Sequence, residues 1–116
     1  MSEPAIHYDG RRFVSVSNSA GGDVDGSTRF DYRQRDGIVW ATYEGGGVAL
    51  GTLVATVGEG AVLDMRYAHV DREGTLRTGT CRSVPERLPD GRLRLHESWH
   101  WTSGDRSSGT SILEEI

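Results

Sequence analysis

Arg94-Leu95-His96-Glu97-Ser98-Trp99-His100-Trp101 admits two readings that lead to different proteins. As a helix, it contains the pattern H-E-x-x-H over residues 96–100. In that pattern two histidines on one face hold zinc and the glutamate is the general base of a hydrolase. As a strand, it alternates. One parity carries Leu93, Leu95, Glu97, Trp99 and Trp101; the other carries Arg92, Arg94, His96, Ser98 and His100. The first set is large and apolar apart from Glu97, and the second is wholly polar, which is the signature of a strand with one face on a core. In a strand, His96 and His100 stand roughly 13 Å apart at about 3.3 Å per residue, with Glu97 on the opposite side. Imidazole nitrogens bind zinc at about 2.0–2.1 Å, so one ion does not reach both. The stretch is read as a strand, its histidines as solvent-facing, and no metal site is expected.

The rest of the chain repeats the punctuation that precedes this strand. Pro89-Asp90-Gly91 has counterparts at Asp9-Gly10, Asp25-Gly26, Asp36-Gly37, Gly45-Gly46-Gly47, Gly58-Glu59-Gly60, Glu73-Gly74 and Ser103-Gly104-Asp105. Glycine accepts positive φ and aspartate bonds its own backbone, so these are turn signals with a mechanism. Glycine makes up 16 of 116 residues, about twice ordinary usage, and it is spread between β-rich runs rather than gathered in a tail. About eight such runs separated by short turns indicate an all-β fold. We expect a single small antiparallel up-and-down β-barrel of the lipocalin or streptavidin kind, closed by pairing the first strand with the last. Residues 1–9 read as an N-terminal tail and 10–116 as the barrel domain. "SVPERLPDG" (83–91) reads as the longest connection.

Composition excludes several classes. Net charge is −4 and the pI about 5.5, with no basic stripe, so nucleic-acid binding is not expected. No run approaches the roughly 20 apolar residues of a transmembrane helix, and "MSEPAIHYDG" lacks the apolar segment of a signal peptide. A lone cysteine, Cys81, allows no internal disulfide and is read as a small packed hydrophobe. A cytoplasmic protein without a cofactor is the expectation.

The strand reading raises a question about Glu97, which shares its face with four large apolar side chains. A buried carboxylate is costly unless paired or protonated. Either it fixes the barrel through a hydrogen-bonded neighbour, or it is a pocket acid or base with a raised pKa. The same parity argument points Leu63, Met65, Tyr67 and His69 inward, and Phe30 and Tyr32 likewise. Thr78 is assigned inward with Leu76 and Thr80. The runs at 38–44 and 47–57 are apolar on both parities, so Trp40 and Tyr43 do not both point inward. Glu97, His69 and Tyr67 are the candidate acid–base residues. Tyr32, Trp40, Thr78, Trp99 and Trp101 are the candidate ligand-binding residues. Ala49, Gly51, Ala55 and Gly79 are expected to leave room inside. "GGDVDG" (21–26) reads as a mobile loop, a loose echo of a calcium loop without its distal glutamate, with weak calcium binding as the alternative.

"LDMRY", "TGTCRSVPERLPDGRLRLHESWHWTSGD" and "SSGTSILEEI" resemble a family of small bacterial proteins that is often labelled N-acetylglutamate synthase. The resemblance spans about Gly10 to Ile116 and carries over no catalytic residues. The chemistry of that label needs a pyrophosphate loop, [QR]-x-x-G-x-[GA], opening a helix whose amides bind phosphate. The nearest match, Arg106–Ser111, ends in Ser and leaves Ile112–Ile116, too short for a stable helix.

Three functions remain open. One is a ligand-binding barrel with Glu97 as polar anchor. Another is a cofactor-free isomerase, cyclase or lyase using Glu97 as acid or base. The last is a structural homodimer with a filled core, suggested by the doubly apolar run "GVALGTLVATV".

Overall fold

The glycine-rich punctuation falls where the chain reverses. The computed structural model describes residues 5–19 and 21–116. Its strands are β1 (Arg12–Asn18), β2 (Arg29–Arg35), β3 (Ile38–Gly45), β4 (Val48–Val57), β5 (Leu63–Asp71), β6 (Leu76–Arg87), β7 (Leu93–Trp101) and β8 (Ser108–Glu115). Each pairs antiparallel with its chain neighbour, and β1 pairs with β8 through Phe13↔Glu115 and Ser15↔Leu113. The result is a closed eight-stranded up-and-down barrel with no free edge. Among the described residues no helix is long and apolar enough to cross a membrane.

Inward parity follows the sequence reading on β2, β5 and β7. Phe30 and Tyr32, Leu63 and Met65, and Leu93, Leu95, Trp99 and Trp101 are buried. His96 and His100 point outward, where they bond to Glu86 and to Ser108. Strands β3 and β4, ambiguous in sequence, turn Val39, Ala41, Tyr43, Leu53 and Ala55 inward. Trp40 is therefore outside, 38% exposed, and does not line the interior as expected.

Thr78 is likewise on the outer side, its hydroxyl 2.8 Å from that of Thr102. The inward residues of β6 are Gly79, Cys81 and Ser83. Their register explains the reversal. Gly79 lies between Tyr67 and Trp101, and Cys81 between Met65 and Trp99. With large side chains on both neighbouring strands, only small residues fit between them.

Gly51 and Gly79, expected to leave room inside, do not, and Gly109 follows the same pattern. Tyr43 pairs with Gly51, Tyr67 with Gly79, and Trp99 with Gly109. In each pair the aromatic ring lies where a glycine Cβ would stand. Absence of a side chain thus lets a ring lie flat on the sheet, and the ring takes the space.

The expected long connection is also shorter. Residues 83–87 continue β6, leaving a hairpin turn over 88–92. Pro85 is tolerated because β6 pairs with β5 only as far as Ser83, so the missing N–H faces an unpaired side.

One end of the barrel is packed solid. Phe13, Val39, Leu63, Leu93, Leu95 and Leu113 are each at most 1% exposed. Tyr8, ahead of β1, is fully buried and donates its hydroxyl to the Ala61 carbonyl at 2.6 Å.

Candidate functional site

The longest connection is the β1–β2 loop, whose described residues, 19 and 21–28, fold over the other end of the barrel. Its anchors are side chains. Trp99 Nε1–H donates to Asn18 Oδ1 at 3.0 Å, and Trp101 Nε1–H donates to the Gly21 carbonyl at 3.1 Å. Asn18 in turn donates to the Val24 carbonyl, and Val24 packs against the core. Thr28 donates to the Gly45 carbonyl at 2.9 Å. Gly45 has φ of 113°, and a Cβ there would strike the Ser27 backbone, so this seam requires glycine.

The centre of the loop is Asp23. Its Oδ2 lies 2.9 Å from His69 Nε2 and 3.0 Å from an Arg77 guanidinium nitrogen. His69 Nδ1 lies 3.0 Å from the Tyr43 hydroxyl. A carboxylate only accepts, so neutral His69 donates from Nε2 to Asp23 and accepts at Nδ1 from Tyr43 O–H. Arg77 also stacks 3.9 Å above the Trp101 ring. Both ring nitrogens of His69 are thus engaged, Nε2 with the loop and Nδ1 with β3. The Asp25 carboxylate accepts the Ser27 N–H, so the acidic residues of "GGDVDG" are bonded within the fold.

Beneath the loop lies a cavity of about 50 Å³. Phe30, Tyr43, Tyr67, Trp99 and Trp101 wall it, and Glu97 lines it from the middle of β7. Glu97 Oε1 accepts a long hydrogen bond from Ser111 at 3.4 Å, while Oε2 is buried without a partner. The Tyr32 hydroxyl is also buried and unpartnered, and the Ser83 hydroxyl stands near Glu97 without a well-formed hydrogen bond to it. Burial raises the Glu97 carboxyl from 4.5 to about 7, against the opposing pull of the Ser83 and Ser111 hydroxyls. Burial likewise raises the Tyr32 hydroxyl and the Cys81 thiol, and Glu97 adds to both. The carboxyl can therefore donate or accept near neutral pH.

An aromatic-walled cavity inside an eight-stranded meander agrees with a family model that matches residues 6–116, described as avidin-like protein. The chain belongs to the avidin-like protein family. No curated protein and no solved structure matches it.

Of the residues singled out in sequence, the avidin-like barrel brings Glu97, His69, Tyr67, Trp99 and Trp101 to one cavity. Tyr32 lies deeper, in edge contact with Phe13 at 4.8 Å between ring centroids. Trp40 and Thr78 are outside. The parity argument alone did not find Asn18, Asp23 or Ser111. Asn18 and Asp23 belong to the loop end, where alternation carries no information, and a lone inward serine gives no hydrophobic signal.

Proposed function

We propose that this avidin-like barrel binds a small molecule in the cavity beneath the β1–β2 loop, with Glu97 as its polar anchor. The observation that carries the reading is the unpartnered Glu97 Oε2 facing an aromatic-walled space, because a buried polar atom left without a partner is costly. At about 50 Å³ the cavity takes a few heavy atoms. Drug-sized ligands occupy pockets of roughly 300 Å³ or more, so anything larger enters by displacing the loop. In this reading Asp23 is the latch and His69 its receiver.

The three tryptophans make a built-in test. With ¹⁵N-labelled protein, a set of small water-soluble fragments is expected to move the indole N–H signals of Trp99 and Trp101 and to leave that of the outward Trp40 unmoved. Asp23→Asn is expected to speed entry without abolishing it. Shifts at Trp40 alone, or at none of the three, would contradict the reading.

We place a homodimer contact on the outer face of β3 and β4. Ile38, Trp40, Leu50 and Val54 are 44%, 38%, 58% and 53% exposed there, and Trp40 pairs directly with Val54. Sedimentation equilibrium is expected to show a dimer that Trp40→Glu dissociates. A monomer at every concentration would count against it.

A further inference from the structure

We infer that the cavity takes a small organic cation, an ammonium group bearing methyl or similar apolar substituents. The inference rests on the cavity being a binding site, and it adds the chemical class of the ligand.

The charge around the cavity is one-sided. Two carboxyls line it, Asp23 at the mouth and Glu97 within. Asp23 is answered by Arg77 at 3.0 Å. Glu97 has no such answer: the groups that bear on it besides burial are the hydroxyls of Ser83 on β6 and Ser111 on β8. At the mouth His69 and Arg77 are both bonded to Asp23. The other titratable groups, which feel the charge of Glu97, are Tyr8 ahead of β1, Tyr32 on β2, Tyr43 on β3, Tyr67 on β5 and Cys81 on β6. Burial holds these last five neutral well beyond physiological pH, and none of the five is a cation. An anionic ligand would meet Glu97 uncompensated. A neutral apolar ligand would leave Oε2 as it is, buried and unpaired.

A cation satisfies both halves of the site. Its charge faces the lone carboxylate, and its substituents contact the rings of Phe30, Tyr43, Tyr67, Trp99 and Trp101. Aromatic faces attract cations through the ring quadrupole, most strongly when both are desolvated, and such cages with alkylated ammonium are a recurrent solution. Alkyl substituents also lower the cost of removing the cation from water. A guanidinium stacked on Trp101 at the mouth shows that one of these rings already accepts a cation on its face.

The test compares two small trimethyl-bearing probes, cationic trimethylammonium and neutral tert-butanol. Each is titrated into wild-type protein at pH 5.5 and pH 8.5, read at the Trp99 and Trp101 indole N–H signals. Only the ionised carboxyl binds the cation, so with its midpoint at about 7 the apparent affinity for trimethylammonium is expected to rise about thirty-fold from pH 5.5 to 8.5. Affinity for tert-butanol is expected to be weaker at pH 8.5 and flat with pH. Glu97→Gln is expected to remove the pH dependence for the cation and to retain tert-butanol. Should that variant fail to fold, the wild-type pH series decides alone. Equal or tighter binding of tert-butanol, without pH dependence for either probe, would overturn the cation and leave a binding barrel. Binding of neither probe, with the fragment set also silent, would remove both readings.

Discussion

Between about pH 4.5 and pH 8, Glu97 is expected to cost the folded protein about 3 kcal/mol of stability, from a carboxyl whose pKa rises from 4.5 to about 7 on burial. The sign follows from proton binding. Below pH 4.5 the group is protonated in both states and the penalty is absent. As pH rises from there toward 7, the unfolded chain releases the proton first, so the unfolded state is favoured. Above about 7 both states are ionised and the loss is complete. Urea unfolding of wild type and Glu97→Gln at pH 5, 6, 7 and 8 isolates this term, because other titrating groups are common to both proteins. Wild type is expected to lose ground steadily against the variant across that range. Parallel pH profiles would mean that Glu97 titrates normally in the folded state.

Gly51→Ala is expected to destabilise the barrel by about 2–3 kcal/mol, combining overpacking with a lost hydrogen bond. A Cβ at Gly51 meets the Tyr43 ring, not the far tip of a flexible chain. The ring is packed against Phe30 at 4.8 Å between centroids, and its hydroxyl is 3.0 Å from His69. Relieving the clash lifts the ring, pulls the hydroxyl from His69 Nδ1 and disturbs the residue that latches Asp23. The double variant with Tyr43→Leu separates this account from a general intolerance of β4. In that background the glycine substitution is expected to cost less than about 0.5 kcal/mol, a strong coupling of the kind contacting residues show. Additive costs would contradict a direct ring-on-glycine contact.

These results bear on what the chain reveals before it folds. Turn chemistry and alternation placed β2, β5 and β7 correctly because each has one wet and one apolar face. They failed where those faces lose contrast. Strands β3 and β4 carry apolar residues on both sides, Trp40 and Val54 outside and Tyr43 and Leu53 inside. Composition does not separate an interior from an exposed apolar exterior. Strand β6 misled in the opposite sense: its inward residues are small because Tyr67, Trp99 and Trp101 fill the space from neighbouring strands, so the larger Leu76 and Thr78 were assigned inward. That information resides in cross-strand register, which a single run does not contain. The loop over the mouth was legible as a loop. Its role was not, because Asp23 is distant in sequence from His69 and Arg77, which face each other across the β5–β6 hairpin, and meets them only in the folded barrel. Glu97 was legible as an anomaly from parity alone, and it is where the cavity, the unpartnered oxygen and the raised pKa coincide.

Glu97 stands without a cationic partner in an aromatic-walled cavity, and burial raises its carboxyl to about 7. Carbon-13 detection of its side-chain carboxyl through a pH titration tests this without a ligand. A midpoint near 7 is predicted, with the Trp99 and Trp101 indole signals following the same curve and the outward Trp40 insensitive to it. A midpoint near 4.5 would place Glu97 in contact with water or with a cation, and would contradict the account of the site.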